Sequence, residues 1–388
     1  MNYIERNNVL RQIDATFNVF KIVCLLGPRQ CGKTTLARQF WTDNNKTKSD
    51  PGYFDLEKPS DLQALQNPDL VLPRISGLII IDEIQRVPNL FSYLRYLHDE
   101  EIDQKFLILG SASRELINQS AETLTGRIAF IEITPFTIGE VDQWQELWVR
   151  GGFPKSYLLE KQSSMLWREN YLRTYIEQDL ALLGLKFQVD VLQRLWFMLA
   201  HYHGQIINYS EFAASLGISQ PTVKLYISYL LNSFTVRLLK PWHENLQKRQ
   251  VKSPKIYFRD SGLLHTTLGL EDYMGIMRHP KAGSSFEGFA LEQVIHYAGV
   301  TNDMCYFWAS HNQAELDLLI LKHGKKIGFE FKMMDSPKIT PSMRIVLKDL
   351  HLDNLTIIYP GSRKYMLDEK IMVLPVFHIE EFWQNLDK

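Results

Sequence analysis

The chain has 388 residues, 45% of them hydrophobic and 22% charged, which fits a folded protein of two or three domains and excludes a disordered or fibrous chain. A formal net charge of −1 gives no global basic field for nucleic acid, and apolar runs such as 22–26 and 78–81 are too short to span a bilayer. Cys24, Cys31 and Cys305 have no spacing for disulfides or zinc, and residues 1–20 carry charges throughout, so a cytoplasmic protein with no membrane partner is expected.

The first third alternates short apolar runs with helical stretches, the pattern of a parallel sheet covered on both faces. Strands are predicted at 22–26, 53–56, 78–81, 106–109 and 128–133, with helices such as 33–40 and 90–99 between them. Gly27-Pro28-Arg29-Gln30-Cys31-Gly32-Lys33-Thr34 satisfies G-x-x-x-x-G-K-[ST] between a strand and a helix. Its glycines let backbone amides wrap a phosphate, and the helix N-terminus adds partial positive charge. Lys33 is expected to reach the β- and γ-phosphates of ATP, with Thr34 coordinating Mg²⁺ and Thr35 completing the loop. The run 78–81 ends in Asp82 and Glu83. Asp82 is expected to hold the Mg²⁺, and Glu83 to polarise the attacking water as a general base. Ser111, at the end of the next strand, is a candidate sensor of the γ-phosphate. Arg127 is a candidate for stabilising transition-state charge, in cis or from an adjacent subunit of a homo-oligomer. Asp55 reads as a turn cap.

Gly151-Gly152-Phe153-Pro154 breaks both periods and marks a boundary. Helical periodicity dominates 165–233, where Trp167–Tyr175 and Trp196-Phe197-Met198 read as core packing and Glu177-Gln178-Asp179 as a solvated helix face. Residues 209–216 and 219–231 predict two helices joined by a tight turn at Gly217-Ile218, with Ser219 as N-cap and Pro221 in the first turn. Gln220, Thr222, Lys224 and Ser228 fall on the outer side of the second helix, where a DNA reader puts its contacts; packing or docking is the competing role. The basic segment 237–255 holds Arg237, Lys240, Lys248, Arg249, Lys252 and Lys255, either a DNA-facing wing or a solvated loop.

A second break is expected near Gly283-Ser284-Ser285. Beyond it a helix at 286–297 and strands at 316–321, 326–331, 356–359 and 371–375 predict a separate α/β unit. Strand alternation puts Glu330 and Lys332 on one face. Together with Asp317 and the helical Glu287, they form a set whose oxygens can hold Mg²⁺ and whose lysine can orient water. His311 reads as a surface loop residue.

With these motifs, and with Gly110-Ser111, Thr125-Gly126-Arg127, Gly151–Pro154, Phe258–Leu263, Glu315–Asp317 and Glu330–Lys332, the chain resembles a widespread family of prokaryotic AAA-like P-loop ATPases. Members carry a restriction-endonuclease-like C-terminal domain. The resemblance implies an α/β P-loop NTPase with an AAA+/ASCE-type parallel sheet at 1–150, a helical lid and winged helix at 151–282, and a PD-(D/E)XK nuclease-like domain at 283–388. By the same resemblance Asp317 and Glu330 would bind metal, Lys332 would assist the nucleophile and Glu287 would complete the site. Leu316 departs from the proline that often precedes the aspartate. The function expected is Mg-dependent ATP hydrolysis coupled to DNA binding or processing. The alternative is a signalling or assembly switch with an inactive, partner-binding C-terminal module. A kinase is disfavoured, because Glu83 is placed for water.

Overall fold

The apolar runs of the first third pair as β1 (Ile22–Gly27), β2 (Tyr53–Asp55), β3 (Gly77–Asp82), β4 (Gln104–Ser111) and β5 (Ile128–Glu132). The computed structural model describes residues 3–47, 50–100, 103–111, 124–176, 188–243, 252–310 and 314–386. All five strands run parallel, in spatial order β2-β3-β4-β1-β5. Each lies within two residues of its expected bounds. Alternation along the strands divides their side chains between two cores. Val23, Leu25, Ile80, Leu107 and Leu109 pack with the helices Asn7–Phe17 and Lys33–Asp43. Cys24, Leu26, Ile79, Ile81 and Ile108 pack with the helix Leu90–Asp99. Burial on both sides is why these runs read as continuously apolar. The sheet belongs to a compact unit of Met1–Phe136, Phe153–Leu158 and Asn232–Phe234.

The remaining residues form a second compact unit. Within it, the helix Trp144–Arg150 stops at Gly151, which has φ 76°. A Cβ on Gly262 would stand 2.1 Å from the Arg150 carbonyl oxygen, and one on Gly151 would stand 2.2 Å from Asp260 Oδ1. Asp260 caps the helix Ser261–Thr267 by accepting from the Leu263 N–H at 2.9 Å, and it also accepts from the Gly152 N–H at 2.8 Å. The Gly-Gly and Asp-Ser-Gly motifs, far apart in sequence, are two halves of one close junction.

Next come β6 (Gln205–Ile206), the helices Tyr209–Leu216 and Gln220–Asn232, and the antiparallel pair β7 (Val236–Pro241) and β8 (Lys255–Phe258). Gly217 at φ 68° ends the first helix, and the Ser219 hydroxyl accepts from the Thr222 N–H at 3.3 Å as expected of an N-cap. β9 (Cys305–Ala309), β10 (Glu315–Lys322), β11 (Lys325–Phe331), β12 (Asn354–Tyr359), β13 (Tyr365–Asp368) and β14 (Ile371–Pro375) follow. They continue the same sheet, in the order β13-β14-β12-β11-β10-β9-β7-β8-β6.

β9 pairs with β7, so the segments expected as 151–282 and 283–388 share one sheet within this compact unit. Gly283-Ser284-Ser285 fall in the first turn of the helix Ala282–Ala298. Ser285 is drawn inward there: its hydroxyl accepts from Trp148 Nε1 at 3.0 Å and donates to His265 Nε2 at 2.6 Å. The His265 ring, donating through Nδ1 to the Val149 carbonyl, is kept neutral by burial, its pKa lowered to about 4.

A buried ion cluster reinforces this unit. Glu292, on the helix Ala282–Ala298, accepts from Arg237 of β7 and from Arg259, just beyond β8, at 3.0 Å. Burial alone would raise the Glu292 carboxyl, but the two guanidiniums override it and hold its pKa near about 2 against an ordinary 4.5. A depressed carboxylate adds stability above its ordinary pKa and loses it as pH falls toward the depressed value. Glu292→Gln should therefore lower the unfolding free energy by about 3 kcal/mol near neutral pH. The gap between variant and parent, read by urea denaturation, should narrow as pH falls from about 4.5 toward 2.

Candidate functional site

The loop between β1 and the helix Lys33–Asp43 is shaped by two left-handed residues, Gln30 at φ 62° and Gly32 at φ 100°. Gly27 cannot carry a side chain, since a Cβ there would lie 2.1 Å from the Ile133 carbonyl oxygen. The Lys33 ammonium is buried and donates to the Gly27 and Pro28 carbonyls, each at 2.9 Å, so the lysine is folded over the loop it follows. Arg29, Gln30 and Thr35 are exposed, while Cys31 is buried beneath the loop.

Asp82 sits at the carboxyl end of β3, close enough to the Thr34 side chain for the hydroxyl to favour its charged form. Burial pushes its pKa up to about 6, the Thr34 hydroxyl opposes this, and neighbouring Glu83 and Asp55 raise it further. Asp55 pairs with Asp82 in the β2–β3 register, and its carboxylate caps its own turn by accepting from the Glu57 N–H at 3.1 Å. Glu83 adopts φ 59°, a left-handed conformation costing about 1–3 kcal/mol for a non-glycine residue, and accepts a hydrogen bond from Gln85 Nε2. β4 lies between β1 and β3, and Ser111 ends it, paired in register with Gly27. Thus Lys33, Thr34, Asp82, Glu83 and the backbone of Ser111 meet at the carboxyl ends of the strands.

Arg127 does not join them. It precedes β5, whose Ile128 is in register with Ile22, at the amino ends of the strands and about 20 Å along the sheet from Gly27. Its guanidinium instead grips Asp99, at 2.8 and 3.2 Å. A role in cis is excluded by strand direction.

The second predicted set converges at the β10–β11 end. Lys332 Nζ lies 2.6 Å from Glu330 and 3.7 Å from Asp317, and Asp317 accepts from the Phe331 N–H at 3.0 Å. Glu287 accepts from the Tyr257 hydroxyl at 2.6 Å and lies 3.9 Å from Lys255 Nζ. Lys255 also pairs with Glu315. Burial, followed by the neighbouring Asp317, raises the carboxyl pKa values of both Glu287 and Glu330. For Lys255 burial opposes the charge, but Glu287, Asp317 and Glu315 outweigh it. Among the described residues, no three carboxylate, imidazole or thiolate groups converge as a metal cage requires. The four residues meet, therefore, but with lysines interleaved among the carboxylates.

Two cations of the expected basic segment are turned inward. Arg237 and Lys255 are buried in the ion pairs above, Lys240 pairs with Asp303 at 3.4 Å, and Lys224 lies over the Tyr209 ring at 5.2 Å. Lys252 and Gln220 are exposed. Lys248, Arg249, His311, Ala112, Ser113 and the stretch Glu177–Asp179 lie outside the described residues.

Comparison with known proteins now decides the family. Residues 19–142 match the family model described as an AAA domain. Residues 141–273 match Domain of unknown function (DUF8612), and 282–379 match Domain of unknown function (DUF4143). Uncharacterized protein Rv2008c of Mycobacterium tuberculosis and Uncharacterized protein Mb2031c of Mycobacterium bovis are each 42% identical over 381 residues, covering 97% of this chain and 85% of the relative. The chain belongs to the family of these two relatives and carries an AAA domain at residues 19–142. Among solved structures, the Walker-type ATPase PABY2304 of Pyrococcus abyssi is 13% identical with a TM-score of 0.40, over 69% of this chain and 96% of that one. The Holliday junction branch migration motor RuvB of Thermotoga maritima gives 0.29 at 20% identity, over 60% of this chain and 89% of that one.

Sequence reasoning missed two contributors to the AAA-domain loop. The buried Arg6 guanidinium donates to the Thr134 carbonyl at 3.0 Å and the Cys31 carbonyl at 3.5 Å, and lies over the Phe136 ring at 5.7 Å. Pro154 packs 3.7 Å from where a Gly32 Cβ would stand. A lone arginine before a helix carries no local signal; only folding brings it under the loop. Because Arg127 is remote from the loop, Arg127→Ala should leave the ATP turnover of the isolated chain within about twofold of the parent, measured by phosphate release.

Proposed function

We propose that the chain binds Mg·ATP in the loop Gly27–Thr35 and hydrolyses it. The observation that carries this reading is the Lys33 ammonium held by the Gly27 and Pro28 carbonyls, with Thr34 and Asp82 brought together beside it. On binding, Lys33 exchanges the Gly27 and Pro28 carbonyls for phosphate oxygens, and the loop amides receive the rest of the anion. Mg²⁺ suits a hydroxyl and a carboxylate oxygen, and when bound it neutralises the phosphates for transfer. Thr34 and Asp82 hold it. Glu83, steadied by Gln85, takes the proton of the attacking water, and Ser111 stands where the end of β4 approaches the γ-phosphate.

Lys33→Ala should abolish nucleotide binding. Glu83→Gln should bind a fluorescent ATP analogue with near-parent affinity while turnover falls by about a hundredfold or more. Undiminished phosphate release from Glu83→Gln would remove the general-base assignment.

We assign the second unit the part of a partner-binding module moved by the ATPase cycle, because Arg237, Arg259 and Lys255 are turned inward on carboxylates rather than outward on a phosphate backbone. DNA handling is the second reading. It is supported by the order helix, β6, two helices, β7–β8, which matches a winged helix, and by the exposed Gln220 and Lys224 on the second of the paired helices. Phosphate release with and without double- or single-stranded DNA separates the two. The module reading expects a change below about twofold, whereas stimulation of about tenfold, about 1.4 kcal/mol of coupling, would install DNA as the partner.

A further inference from the structure

The carboxylates around β10 and β11 have drawn in a cation of their own from a distant part of the chain. Lys255 is 5% exposed, lies over the Phe307 ring at 5.3 Å, and stands among Glu287, Glu315 and Asp317. It belongs to β8, with Tyr257 two residues along the same strand donating to Glu287. A buried ammonium is tolerated only when anions hold it, and here they are the same carboxylates that a divalent ion would need. Lys332 occupies the other side of the group, on Glu330 and Asp317. Every one of the four carboxylates thus has an internal cation or hydroxyl on it. A divalent ion binding through the oxygens that hold Lys255 and Lys332 would have to displace an ammonium from them.

We propose that Lys255 is the resident cation of this carboxylate group, carried in on β8, and that it excludes divalent metal from Glu287, Asp317 and Glu330. The site is a metal-free ion network in the intact protein, and removing the lysine converts it into a divalent-cation site. The inference does not depend on ATP hydrolysis, so its failure and the failure of the ATPase reading are separable: it is tested without nucleotide.

The experiment titrates Mn²⁺ into the full chain and follows free Mn²⁺ by electron paramagnetic resonance, with Asp82→Asn in every arm to silence the other acidic centre. The parent should take up no Mn²⁺ below about 1 mM. Lys255→Gln should gain one equivalent bound at least about tenfold more tightly, and adding Asp317→Asn should abolish the gain. Lys255→Arg, which keeps the charge, should behave as the parent. Lys255→Met provides a second neutral replacement if the glutamine variant does not fold by circular dichroism. Asp317-dependent Mn²⁺ uptake by the parent would overturn the proposal, as would a folded neutral variant that binds no better than the parent. If neither neutral variant folds, the parent alone decides: silence that Asp317→Asn leaves unchanged supports the assignment, and uptake refutes it.

Discussion

A lysine ammonium buried at the head of a helix must find oxygen, and much of the first unit can be understood from how Lys33 finds it. The loop closes so that two of its own carbonyls face the ammonium, which requires left-handed backbone at Gln30 and Gly32 and no side chain at Gly27. Carbonyl oxygens hold the charge without cancelling it, so the centre stays electropositive and an anion can displace them. Inserting β4 between β1 and β3 then sets the distance from this centre to the acidic strand end. Thr34 and Asp82 face each other across it.

The second unit meets the same constraint with the opposite outcome. Its buried guanidiniums and ammonium face carboxylates: Arg237 and Arg259 on Glu292, Lys255 on Glu287 and Glu315, Lys332 on Asp317 and Glu330. Paired in this way, the charges neutralise one another and fix the geometry of the strands that carry them. Arg237 and Lys255, basic along the sequence, therefore present no charge outward.

Much of the first unit was legible in the sequence because its signals are local. Continuous apolar runs gave all five strands, and the glycine spacing with its lysine gave the loop. The convergence of Glu287, Asp317, Glu330 and Lys332 was also anticipated, since helix and hairpin positions constrain those side chains strongly. What escaped depends on tertiary neighbours. Arg127 looked catalytic until strand direction put it at the wrong end of the sheet. The buried partners of Ser285, Trp148 and His265, come from distant segments that glycine and polarity at 283–285 do not signal. β9 is a short aromatic run whose status as a strand rests on β7 and β10 flanking it. Lys255 read as one more surface cation, because its carboxylates arrive from residues 287 to 317.

The parallel pairing of Lys240 with Tyr306 and Pro241 with Phe307 has a mechanical consequence. It fuses the hairpin that follows the paired helices to the strands of the C-terminal half, and the Glu292 clasp holds the same seam from the helix side. Strain placed on β7 is therefore shared at once by β9 and by the helix that carries Glu292, with no loop between them to absorb it at the paired residues.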